Sequence, residues 1–170
     1  GVGSRGEFLE YKRKLIQDIY KEVRPETVLD VGCGDIEVIK NIGFKNYTGI
    51  DISPFIIERN SRLKPDFKFI CSDFVNLSKE INFRADLVLC LDVLIHQHSF
   101  EHYKEFVARL VEATRKTCII SAYEAPPRPA YSSEIVAYHE PITKTLARCG
   151  VSEIKIIGEY RDTIIVRFDK

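Results

Sequence analysis

The chain has 170 residues, and its 25 Lys plus Arg balance 25 Asp plus Glu. That length fits one domain able to bury a real core, and an ordinary share of apolar and charged residues excludes disordered and fibrous classes. Neutral charge gives no electrostatic footprint for nucleic acid or an anionic membrane, no apolar run is long enough to span a bilayer, and no signal peptide is expected. Cys33, Cys71, Cys90, Cys118 and Cys149 are widely spaced, odd in number and without a C-x-x-C pair, which suits reduced thiols in a cytoplasmic protein. The sequence lacks Met and opens on GVGSRG. It therefore reads as a module cut from a longer polypeptide, whose other domains are candidate partners.

In chain order, apolar residues at three- and four-residue spacing predict an amphipathic helix from Phe8 to Val23, ended by Arg24-Pro25. A short buried strand, TVLDV, follows, then a brief helix over IEVIKNIG stopped by Gly43. YTGID is a second strand, and Ser53-Pro54 supply the N-cap and first position of a helix over FIIERNSRL. FKFICSD and ADLVLCLD are the third and fourth strands, and FEHYKEFVARLVEATR is a long amphipathic helix. TCIISAYE is a fifth strand, followed by the Pro-rich APPRPAYSS loop and a helix over ITKTLARCG. EIKIIGEY and DTIIVRFD close the chain as a hairpin. Strand-helix repeats with non-alternating strands predict an α/β fold, doubly wound and Rossmann-like. Its seven-stranded sheet is mostly parallel, with a C-terminal antiparallel hairpin strand and helices on both faces.

In such a sheet the ligand sits beyond the carboxyl ends of the strands. Those ends read Asp30, Asp51, Asp73, Asp92 and Glu124, five acids delivered to one rim. Gly32 and Gly34 allow close backbone approach. The pattern is neither G-x-G-x-x-G, since Glu37 stands in the third place, nor a P-loop. An acidic rim repels phosphate, so the ligand should carry hydroxyls and positive charge. Asp51 lies about twenty residues past the glycine turn, where an acid accepts from a ribose diol.

The motifs VLDVGCGD, GIDIS, CSDF and DLVLCLDVLIH together resemble those of class I S-adenosylmethionine-dependent methyltransferases, over nearly the whole chain. The resemblance implies S-adenosyl-L-methionine as cofactor and S-adenosyl-L-homocysteine as product. It implies that Asp30, Gly32 and Gly34 hold the methionine part, that Asp51 takes the ribose hydroxyls, and that Asp73, the Phe74 amide and Ile52 meet the adenine. Asp92 and Val93 would line the sulfonium side. The family often has a third glycine where this chain has Ile36. As one domain over 1–170, residues 1–24 would form an N-terminal helix and cap, 25–124 the cofactor-binding half and 125–170 the acceptor-side half. The opening GVGSRG resembles a segment of some bacterial members and is expected either to fold over the cofactor or to fray.

Methyl transfer to a hydroxyl needs a base. His96 follows the fourth strand, beside the expected methyl, and imidazole titrates in the useful range. It is a catalytic candidate with Asp92. Capping of the following loop stays open as its alternative role. The offsets of His96, His98 and His102 do not give a helical ligand pair: His98 and His102 are four apart, but Ser99 reads as the N-cap between loop and helix, so no metal is expected. Tyr123, Glu124, Tyr131, Tyr138 and His139 are acceptor-side candidates, Glu140 is a further polar neighbour, and the segment after the fifth strand is expected to cover the acceptor. The chain has LDVL where nucleobase-amine methyltransferases resemble one another in [DN]-P-P-[YF]. The expected acceptor is therefore a small molecule, methylated on a hydroxyl oxygen of a sugar, glycan precursor or natural product. N- or protein methylation, and a catalytically inactive cofactor-binding module of a larger polypeptide, stand as alternatives.

Overall fold

A computed structural model describes residues 6–128 and 136–170. Helix α1, Gly6–Val23, turns Lys12, Ile16 and Ile19 inward. Its stripe ends where Arg24 takes a left-handed φ of 47° before Pro25. Strands β1 (Val28–Val31), β2 (Tyr47–Asp51) and β3 (Lys68–Cys71) alternate with α2 (Pro54–Leu63), capped by the Ser53 hydroxyl, and precede α3 (Phe74–Glu80). Strand β4 (Ala85–Cys90) leads through a 3-10 turn, Leu94–His96, into α4 (Phe100–Ala113). Strand β5 (Thr114–Tyr123), α5 (Ile142–Arg148), β6 (Lys155–Tyr160) and β7 (Thr163–Asp169) complete the order.

The seven strands lie in the order β3-β2-β1-β4-β5-β7-β6. Strands β1 to β5 run parallel, and β7 enters antiparallel between β5 and β6. Every residue of β4 is buried. Its Val88 and Cys90 feed one core, with Phe106, Leu110 and Leu146 of α4 and α5. Its Leu87 and Leu89 feed the other, with Ile16 and Ile19 of α1. This two-sided burial explains why the strand reads as a continuous apolar run. The chain leaves β1 toward β2 and β3, then crosses back to β4, so the crevice opens at the carboxyl ends of β1 and β4.

Three local expectations change. The helix expected over IEVIKNIG is a run of turns. Ile36 has φ 55°, outside the helical region. Val38, Ile39, Ile42 and Phe44 are all buried, which a short surface helix with one buried face does not allow. Second, the sequence pattern does not announce α3: Asp73, read as a ligand acid, also caps it, its carboxylate accepting from the Asn76 amide at 2.9 Å. Third, β5 begins at Thr114, earlier than expected, because its first residue pairs with Ala85.

Ile36 thus holds a β-branched side chain in left-handed backbone, which costs about 1–2 kcal/mol. Its side chain is buried, and losing such a group costs about 2–5 kcal/mol. Burial outweighs the backbone strain. Ile36→Gly should therefore destabilise the fold by about 1–3 kcal/mol in urea unfolding; a stabilised variant would show that strain dominates.

Candidate active site

The turn after β1 is held by the sheet itself. The Gly32 and Cys33 amides continue the ladder to the Ile50 carbonyl, at 2.8 and 3.0 Å. Gly32 and Gly34 have φ of 72° and 52°. A Cβ on Gly32 would stand 2.2 Å from a methyl of Val93. Val93 therefore packs directly on the Gly32 backbone, whereas a Cβ on Gly34 would meet nothing within 4 Å, so the turn is open at Gly34. The Gly34 carbonyl accepts from Asn60 of α2 at 2.7 Å, which ties the turn to the next helix.

Asp51, at the end of β2, accepts from the Gly34 amide at 3.0 Å and from the Ser53 amide at 2.9 Å. Each carboxylate oxygen takes one backbone donor and keeps acceptor capacity for a second. Asp30 is buried in β1 and accepts from the Tyr47 hydroxyl at 2.7 Å. Burial pushes its carboxyl up to about 7, with Asp51 adding to the rise and the Tyr47 bond opposing it. Asp73 has one oxygen on the α3 cap and the other 3.6 Å from His102 Nε2. His102 Nδ1 lies 2.9 Å from the Gln97 amide oxygen. Phe74 is buried against Phe106, with ring centres 5.3 Å apart. Ile52 is 73% exposed at the rim.

The fourth strand ends in a polar cluster drawn from four elements. Asp92 has φ 61°, and its amide donates to Ser121 Oγ of β5 at 2.7 Å. Its Oδ1 accepts from Ser121 Oγ at 3.2 Å and also from the Tyr160 hydroxyl of β6. Its Oδ2 accepts from Lys12 Nζ of α1 at 2.5 Å. The Lys12 side chain is 0% exposed, and its Nζ lies 4.4 Å from the Tyr160 ring centre. Burial, then the Asp92 charge, pushes the Tyr160 phenol far up, so it stays a donor.

Part of this rim walls one cavity of about 480 Å3, a size suited to small molecules. Asp30, Gly32, Gly34, Asp51, Ile52, Asp73, Phe74, Asp92 and Val93 all line it, as do His96 and Tyr123. His96 is exposed in the Leu94–His96 turn, and Tyr123 is buried at the end of β5. Glu124 is turned aside: it accepts from Thr143 Oγ1 at 2.5 Å and from the Thr143 amide at 3.3 Å, and so binds the start of α5. Tyr138 and His139 do not line the cavity. His139 Nε2 lies 2.7 Å from the Gln97 carbonyl, and its ring packs on Phe100 and Tyr103. Glu140 is buried and bound by Arg148, Thr145 and Lys144. Burial raises its carboxyl, but those partners outweigh it and hold it below the usual range. Tyr131 lies outside the described residues, as does GVGSR of the opening segment. Among the described residues no group of three or more His, Cys, Asp or Glu could hold a metal ion, and no helix is long and apolar enough to cross a membrane.

Sequence reading misses Lys12, Tyr47, Asn60, Ser121 and Tyr160. Only Lys12 leaves a signal: it falls on the apolar stripe of the first helix, four residues before Ile16.

Strand order and glycine turn define a class I, Rossmann-like methyltransferase fold. Residues 28–117 match the pattern of the methyltransferase domain family, and the chain belongs to that family. It is an S-adenosylmethionine-dependent enzyme. Magnesium protoporphyrin IX methyltransferase from Synechocystis PCC 6803, solved with S-adenosylhomocysteine, is similar in structure. Its TM-score is 0.72 at 17% identity, over 95% of this chain and 82% of that one. The N-methyltransferase NodS from Bradyrhizobium japonicum WM9, solved with the same ligand, gives 0.73 at 15%, over 96% and 87%. A methyltransferase from Archaeoglobus fulgidus gives 0.69 at 15%, over 93% and 94%. At these identities the likeness is one of fold. No curated protein matches in sequence. The cavity fits the cofactor on its own terms: the turn is open at Gly34, where a Cβ would meet nothing within 4 Å, and Asp51 presents acceptors beside it.

Asp30 gives this site a pH signature. Its folded pKa of about 7 lies above its ordinary value of 3.8, so the folded state binds more proton in between. Stability is therefore lost as pH rises from about 4 to about 7, and the loss is complete above that. Asp30→Asn should remove this loss, gaining on the wild type by roughly 4 kcal/mol at most across that window in denaturant unfolding. Parallel pH curves for the two proteins would contradict it.

Proposed function

We propose that the protein transfers a methyl group from S-adenosylmethionine to a hydroxyl oxygen of a small molecule, such as a sugar, glycan precursor or natural product, in the cytoplasm. Within this reading Asp51 takes the ribose diol, and Asp30 with the Gly32 and Gly34 backbone holds the methionine part. Asp73, Phe74 and Ile52 surround the adenine, and Asp92 and Val93 face the sulfur. When bound, the cofactor supplies a methyl group made electrophilic by a cationic sulfur. The chain's remaining work is to seat an acceptor in line at about 3–3.5 Å and to accept its proton.

The observation that carries the reading is the second half of the cavity. Beyond Asp92 the wall continues through His96, Gln97, Tyr123, Val136 and Thr163, a mixed polar and aromatic surface suited to a small polar acceptor. Of these, His96 alone carries an imidazole, the side chain most often used as a general base. We assign it the base and give Asp92 an electrostatic part, because Lys12, Ser121 and Tyr160 already occupy the Asp92 carboxylate. The segment after β5 supports a cover: the Ala137 amide donates to the Ile95 carbonyl at 2.8 Å, and Val136 lines the cavity. Five free cysteines fit a reducing compartment.

Two measurements test this. Asp51→Ala should weaken S-adenosylhomocysteine binding in calorimetry roughly 10- to 150-fold, the value of one charge-assisted hydrogen bond, with NAD as a non-binding control. Turnover of labelled cofactor with a library of hydroxylated acceptors should fall about 10²- to 10⁴-fold in both His96→Ala and His96→Gln. Unchanged turnover in both would remove the base role, and turnover confined to amine acceptors would replace O-methylation by N-methylation.

A further inference from the structure

The apolar stripe of α1 has no packing need for an ammonium. Leu9, Ile16 and Ile19 already supply the contacts with the core, and a buried ion pair adds little stability over an apolar side chain of similar volume. Yet Lys12 is wholly buried, 2.5 Å from Asp92 Oδ2. Asp92 and Tyr160 line the cavity, while Lys12 does not. The ammonium therefore stands behind the carboxylate, out of reach of a ligand, and can act only through it.

We propose that Lys12 is a positioning residue that sets the charge of the methyl-transfer wall, cancelling Asp92 so that the wall presents no net negative charge to the cationic sulfur. This rests on the placement of the sulfur at Asp92 given above, and it extends that placement to a residue outside the cavity. The chemistry makes the cancellation useful. Methyl transfer breaks the bond from sulfur to methyl, leaves the electron pair on sulfur and so discharges it. The new bond forms to the acceptor oxygen, whose proton passes to the base. A bare carboxylate at the wall would hold the charged reactant more tightly than the discharging transition state, which lowers the rate. Backed by Lys12, the same carboxylate keeps its geometry, fixed by Ser121 and Tyr160, without that bias.

The test needs no acceptor. S-adenosylmethionine carries the sulfur charge and S-adenosylhomocysteine does not, so the ratio of their affinities reads the wall's charge. Calorimetry at pH 8 on the whole chain would compare the wild type with Lys12→Met, Lys12→Arg, Asp92→Asn and the Lys12→Met/Asp92→Asn double variant. Lys12→Met should shift the ratio toward S-adenosylmethionine by about tenfold or more, because it uncovers a carboxylate in a site of low dielectric. Asp92→Asn should shift it the other way. Lys12→Arg, which keeps the charge, and the double variant, which is neutral again, should both stay near the wild type. A Lys12→Met protein that weakens both ligands equally, or neither, would reduce Lys12 to a packing contact and overturn the proposal. Should Lys12→Met fail to fold, Asp92→Asn decides, and an unchanged ratio there is equally fatal. Wild-type protein that binds neither ligand would instead remove the cofactor assignment itself, and the proposal with it. Binding of both ligands with an unmoved ratio in every variant removes only the proposal.

Discussion

Five carboxyl groups gathered at one edge of a sheet repel each other, and much of this structure is the answer to that repulsion. Each acid is handled by a different means. Asp30 is buried and shifts toward its neutral form. Asp51 receives two backbone amides. Asp73 caps α3 and faces His102. Asp92 meets a buried ammonium. Glu124 is withdrawn from the rim to the start of α5. The crevice therefore stays acidic in composition while each carboxyl group in it meets a different set of donors.

The same arrangement also explains what the sequence reveals. The strands are legible because parallel strands buried on both faces carry unbroken apolar runs, as LVLC of β4 does. The acids are legible because topology sends every strand end to the same rim. What stays hidden is their partners. Tyr47, Ser121 and Tyr160 lie within strands, where a hydroxyl looks like any other side chain, and their roles depend on which strands become neighbours. The turn run after Gly34 imitates a helix in its apolar spacing, while the left-handed backbone at Ile36 is invisible in a residue type that ordinarily avoids it. Asp73 shows the opposite error: one residue has two duties, and its role at the rim conceals the helix it begins.

The cavity wall is built in two ways. One part stands on strand ends, and its positions follow from the sheet. Another part stands on connections, the Leu94–His96 turn and the chain around residues 136–139, stitched together by the Ala137 and His139 bonds to Ile95 and Gln97. On the near side, Arg128 anchors to Asp162 of the hairpin turn through its amide and guanidinium, at 2.9 and 2.6 Å. Connections tolerate change better than strands do. This division lets one part of the wall change while the strand ends stay fixed.

The wall at Asp92 draws on residues far apart in the chain. Lys12 is 80 positions from Asp92, and Tyr160 is 68 positions beyond it. Contacts of such long range close late in folding, because they must overcome the entropy of large loops. Strand β6 reaches the sheet only through β7, so the Tyr160 side of the wall hangs on the last hairpin, and loosening either that hairpin or the first helix would be felt at Asp92.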